Sequence, residues 1–105
     1  MFLNRFFLGL LLGWGVLSTG WAQSGLGASF LNPVVIHEND TMRGIKAENR
    51  WIEENLPGFE KIGQKLVQND QGTFDIITLQ SASGEVREIY FEVSKFFGLY
   101  DGKPI

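Results

Sequence analysis

The 105-residue chain has no cysteine, a single histidine and three prolines. Without cysteine there is no disulfide, no thiolate nucleophile, no cysteine-ligated zinc and no lipid-modified cysteine. One histidine, His37, leaves a zinc ion short of the three or four ligands it takes, and gives any serine hydrolase only one choice of base. Positive charge is scarce too: nine lysines and arginines stand against twelve aspartates and glutamates. Nucleic acids and anionic membranes are bound through basic patches, so this balance argues against both as partners. Long apolar runs are missing except at the start of the chain.

That start is the most informative stretch. Arg5 precedes an apolar run from Phe6 to about Leu17, and Gly20-Trp21-Ala22 places small residues at the two positions a signal peptidase reads. This is the layout of a secretory signal peptide over residues 1–22. Gly9, Gly13, Gly15, Ser18, Thr19 and Gly20 break up the run, whereas a membrane span needs about 20 mostly apolar residues. Cleavage after Ala22, no stable membrane span and a secreted or periplasmic location are therefore expected. Residues 23–105 suffice for one small domain. They retain eight basic and all twelve acidic residues, a formal charge of −4. A chain of this size buries only about 60 to 65 per cent of its unfolded surface. With no disulfide to help, it must fold on packing alone or with a partner.

Residues 23–40 read as a flexible N-terminal segment, small and flexible up to Pro33, with Val34-Val35-Ile36 able to add an edge strand or drape over a core. Asp40-Thr41 has the short oxygen-bearing side chains of a helix start. Met42, Ile45, Ile52 and Leu56, with Ala47 and Trp51 between, fit one helix face, and Arg43, Lys46, Glu48, Arg50, Glu53 and Glu54 fit the wet face. Leu56-Pro57-Gly58 closes the helix. Three strand-like runs follow, 59–68, 73–80 and 85–93, separated by Asn69-Asp70-Gln71-Gly72 and Ser81-Ala82-Ser83-Gly84, which read as hairpin turns. If Ser81–Gly84 is a four-residue loop, Phe74 faces Phe91, Ile76 faces Ile89 and Thr78 faces Arg87, making the face on which the helix sits. Ile77, Leu79, Val86 and Tyr90 then share the other face, too apolar to be left bare. The residues Phe30 to Ile36, the stretch from Phe96 to Tyr100 or a second copy are candidates to cover it. Ser94–Gly98 reads as a short C-terminal helical turn, and 101–105 as a tail.

The order of elements, a helix closed by Leu56-Pro57-Gly58 and three strands ending in Ile89-Tyr90-Phe91-Glu92-Val93, resembles the small exported PepSY-like domains, including those described as resembling β-lactamase inhibitor protein. The resemblance covers residues 41–94. Glu92-Val93-Ser94 stands where an Asp-x-x-Gly turn often follows the last strand of that family. The resemblance implies a non-catalytic binding or inhibitory module outside the cytoplasm and transfers no functional residue.

Chemistry elsewhere is sparse. His37-Glu38-Asn39-Asp40 is the densest set of possible ligands or acid and base groups, and it suits a polar approach to the helix N terminus better than a metal or catalytic site. Ser81, Ser83 and Ser94 lack a nucleophile-elbow context. Glu53 and Glu54 are adjacent on a helix and point in different directions. Asn39-Asp40-Thr41 matches the glycosylation pattern, but its last two residues already have a capping role. Trp51, Phe59, Tyr90, Phe96, Phe97 and Tyr100 either fill the core or form a contact patch.

The expected fold is α+β, one helix packed on a three-stranded antiparallel meander of residues 41–100. The expected function is protein binding without catalysis, metal or cofactor, through Ile77, Leu79, Val86 and Tyr90, toward another protein or a second copy. The alternative is a ligand carrier or minor enzyme with a pocket between helix and sheet, using Tyr90, Arg87 or His37 as polar handles.

Overall fold

Asp40 sets where the helix begins. Its backbone is extended, and its carboxylate accepts a hydrogen bond from the Arg43 amide at 3.1 Å, satisfying a first-turn donor that has no partner within the helix. In the computed structural model, which describes residues 25–105, helix α1 runs Thr41–Asn55. The expected signal peptide lies outside the described residues. Pro57 and Gly58 end the helix where the sequence predicts. Its inner face, however, is the four-residue series Gly44, Glu48, Ile52 and Leu56. Met42 and Ile45, expected to face inward, are exposed, while Glu48, expected in water, is buried. Trp51 sits beside that series and sets its ring edge-on to Phe91, with centroids 5.6 Å apart.

The fold is α+β, but its main sheet is mixed and four-stranded. Strands β2 (Phe59–Asn69), β3 (Gly72–Ser81) and β4 (Val86–Glu92) pair antiparallel in sequence order, and β1 (Val34–Val35) adds to β4 in parallel. Asn69 pairs with Gly72, so Asp70-Gln71 alone makes the first turn, with the Asn69 side chain accepting from the Gln71 amide.

The second turn decides the register. Gly84 donates to the Ser81 carbonyl, Ser81 donates to the Glu85 carbonyl, and Gly84 sits at φ +92. Ser81 thus faces two residues at once, the arrangement of a turn followed by a glycine bulge. The added residue shifts every pair on β4 by one from the sequence expectation. Ile77 faces Ile89, Asp75 faces Phe91, Ile76 faces Tyr90 and Leu79 faces Arg87. Because side chains alternate across a strand, a one-residue shift exchanges the two faces.

Ile77, Leu79, Ile89, Phe91 and Val93 therefore form the helix side, and with Val34, Ile36, Ile52, Leu56 and Phe96 they make the core. Phe74 and Ile76, expected there, lie on the outer side and are buried as well. Part of their cover is local: Phe30 packs edge-on to Phe74 at 5.0 Å and to Tyr90 at 4.9 Å. The segment carrying Phe30 is a series of hydrogen-bonded turns, tied to the sheet by the Tyr90 amide, which donates to the Gly27 carbonyl at 2.8 Å.

At the other end, Ser94–Gly98 forms a series of hydrogen-bonded turns, the Phe96 and Phe97 amides both donating to the Val93 carbonyl. A small hairpin of β5 (Leu99–Tyr100) and β6 (Lys103–Pro104) follows. The start of α1 holds it: Thr41 Oγ1 donates to the Leu99 carbonyl at 2.8 Å, Asp40 accepts from the Asp101 amide at 2.9 Å, and Gly102 donates to the Asn39 carbonyl. The Asp101 amide first, then the Arg43 amide, hold the Asp40 carboxyl below its ordinary range. No helix among the described residues is long and apolar enough to cross a membrane.

Candidate functional site

The glycine bulge separates the four residues expected to form one contact face. Ile77 and Leu79 are sealed in the core beneath α1. Val86 and Tyr90 lie on the outer side, Val86 exposed and Tyr90 half-buried beside Phe30. The assigned patch therefore does not exist as one surface. The sequence expectation placed all four on one side because it counted Gly84 within a symmetrical loop.

The polar handles suggested for a ligand pocket do not converge either. His37 lines an open groove of ≈ 250 Å³ between residues 34–38 and α1, with Ala47, Arg50, Trp51 and Glu54 opposite. Arg87 lies over the Phe59 ring at 5.9 Å and bridges Glu85 at 2.6 Å. Tyr90 belongs to the outer face. The groove is smaller than the roughly 300 Å³ at which small-molecule sites begin. The serines have structural partners: Ser81 Oγ accepts from the Glu85 amide and lies against Ser83, and Ser94 accepts from the Thr73 amide and bonds Glu92. Among the described residues, no three histidine, aspartate or glutamate side chains gather as metal ligands would.

The sequence reading missed a pair of buried acids. Glu48 is 2% exposed on the inner face of α1, and Asp75 is 7% exposed on the helix side of β3. Burial, followed by the hydrogen bond and negative charge of Asp75, pushes the Glu48 carboxyl up to about 9. Glu48 is thus a neutral acid at neutral pH, donating to Asp75, and its Oε2 has no hydrogen-bond partner. Such a group could serve as a general acid, but it does not line the groove beside His37. The helical spacing Gly44, Glu48, Ile52, Leu56 was the available signal, obscured because glutamate normally marks the wet face.

The most open structural feature is β2. It spans eleven residues, pairs with β3 alone among the described residues, and forms one edge of the four-stranded sheet. Most of its side chains are exposed, Ile62 at 56% and Leu66 at 45% among them. Along it, backbone donors and acceptors alternate between β3 and the open side, giving a template on which another strand can pair. A register shift between Lys61 and Gly63 adds one residue to β2 relative to β3. A shallow hollow of ≈ 190 Å³ lies against this end, bounded by Gly58, Glu60, Ile62, Gln80, Ser81 and Ala82.

Comparisons of the chain with protein-family models, with curated proteins and with solved structures return no match.

Proposed function

We propose that this protein is a small exported, non-catalytic binding or accessory module that acts through protein contact, and that the free edge of β2 is its contact surface. The observation supporting this reading is the length of that edge: eleven residues paired on one side among the described residues, with Ile62 and Leu66 exposed. Exposed edges of that length invite strand addition, in which backbone bonds give affinity and alternate side chains give specificity. The opposite edge differs. β1 is two residues long, and the Tyr90 amide of β4 is already taken by Gly27.

The signal-peptide layout supports a secreted or periplasmic location, and the acidic balance supports a protein rather than a nucleic acid or anionic membrane as partner. A photo-crosslinking residue at position 62, compared with one at Met42 on the exposed side of α1, tests the proposal in the exported fraction. Defined protein adducts are expected from position 62 and not from position 42. Equal labelling from both, or none from either, removes β2 as the contact surface.

A further inference from the structure

The identity of what pairs with β2 rests on that reading of its edge. We propose that it is a second copy of this chain, its β2 antiparallel to the first across a two-fold axis at Ile62–Gly63. The irregularity in β2 carries the inference. Before it, Phe59 and Lys61 share the helix side; after it, Gln64 and Leu66 do, because their β3 partners include Leu79, Ile77 and Asp75. A regular foreign strand can keep its faces matched to β2 on only one side of that point. A second copy brings its own extra residue to the same place.

Among registers that cross the irregularity, the faces leave one. In a two-fold antiparallel pair, each facing couple must lie on the same side of the joined sheet. This holds throughout when Phe59 faces Leu66, Glu60 faces Lys65, Lys61 faces Gln64 and Ile62 faces Gly63. Moving the axis one residue either way sets Gly63 opposite Gln64 or Lys61 opposite Ile62, on different faces. The same register sets opposite charges together. Glu60 and Lys65 take part in no ion pair among the described residues, and here they form two symmetry-related pairs. Phe59 and Leu66 meet twice on the helix side. Lys65, which alone on an edge would discourage pairing, gains a partner. A contact made through one strand of each copy belongs with the small, transient interfaces, so the dimer is expected to be weak and to follow concentration.

Sedimentation equilibrium of the purified protein from about 1 μM to about 1 mM measures it over the range a small interface permits. The wild type should pass from monomer to dimer. Glu60→Lys or Lys65→Glu sets like charges opposite each other twice and should weaken the dimer about tenfold or more, while the double reversal should restore it to within about threefold. A wild type that stays monomeric, single variants that dimerise unchanged, or a double variant that does not recover overturns the proposal. Amide exchange on the wild type needs no variant: protection of the β2 amides that do not bond β3 must rise with concentration, and concentration-independent exchange overturns it too. A monomeric protein that still cross-links a different exported protein through position 62 sinks the dimer and leaves the contact edge standing; no adduct of either kind sinks both.

Discussion

Replacing Glu48 with glutamine isolates what the buried acid does to the fold. In the native protein Glu48 holds its proton up to about pH 9, against 4.5 ordinarily. The raised value means that folding takes up a proton. Stability is fully present below the unfolded value and is lost as pH rises through the folded one, over the window from about 4.5 to about 9. Each pH unit in that window removes about 1.4 kcal/mol, so at about pH 7.5 the wild type carries a penalty of roughly 4 kcal/mol. Glutamine has nearly the same shape, can still donate to Asp75, and needs no proton. Glu48→Gln should therefore be more stable than wild type by about 2 to 4 kcal/mol at about pH 7.5 and equal to it near pH 4.5. Urea unfolding of both proteins at several pH values reads this directly, as a sloping profile for the wild type and a flatter one for the variant. Asp75→Asn is a useful companion. Burial is the largest cause of the Glu48 shift, so removing the neighbouring charge should reduce the slope without abolishing it. Parallel profiles for wild type and Glu48→Gln, or a glutamine variant less stable at about pH 7.5, would show that Glu48 does not carry its proton into the fold.

Gly44→Ala gains up to about 1 kcal/mol of helix propensity, but the new Cβ would run into the Phe96 ring, and overpacking of that kind costs about 1 to 3 kcal/mol. Net destabilisation in urea, with earlier proteolysis after Phe96, is the expected result; a stabilised variant would mean that the ring moves aside freely. Gly84→Ala places a side chain at φ +92 and should lower stability by about 1 to 2 kcal/mol, because the turn that sets the β4 register needs a left-handed residue. An unchanged urea midpoint would count against that role. Phe30→Ala removes two edge-on ring contacts and should cost about 1 to 3 kcal/mol while raising dye binding at the outer face. Unaltered dye binding would show that Phe30 does not shield Phe74 and Tyr90.

Local signals were well expressed in the chain. Asp40, Pro57 and Gly58 delimit α1, and the glycine-bearing breaks bring β2, β3 and β4 to the right places, because capping and turn chemistry act within a few residues. Which side each strand faces was less accessible. One left-handed glycine at position 84 moved the pairing by one and carried Ile77 and Leu79 into the core while turning Phe74 and Ile76 outward. The apolar content of both faces was visible, but alternation cannot rank two apolar faces. The inner side of α1 was misread for a related reason. Gly44 reads as a helix defect and Glu48 as a solvated charge, whereas one makes room for Phe96 and the other enters the interior by staying protonated. The assigned contact residues were lost with the face, while the open edge of β2 follows from strand order, which no short window of sequence contains.

The contact between Phe30 and the outer side of the sheet bears on how the chain can be trimmed. A peptidase that cut beyond Phe30 would remove the ring resting on Phe74 and Tyr90, together with the Gly27 carbonyl that engages the β4 backbone. Residues 25–33, ahead of β1, thus belong to the folded unit, and a cut inside them would leave a stickier molecule.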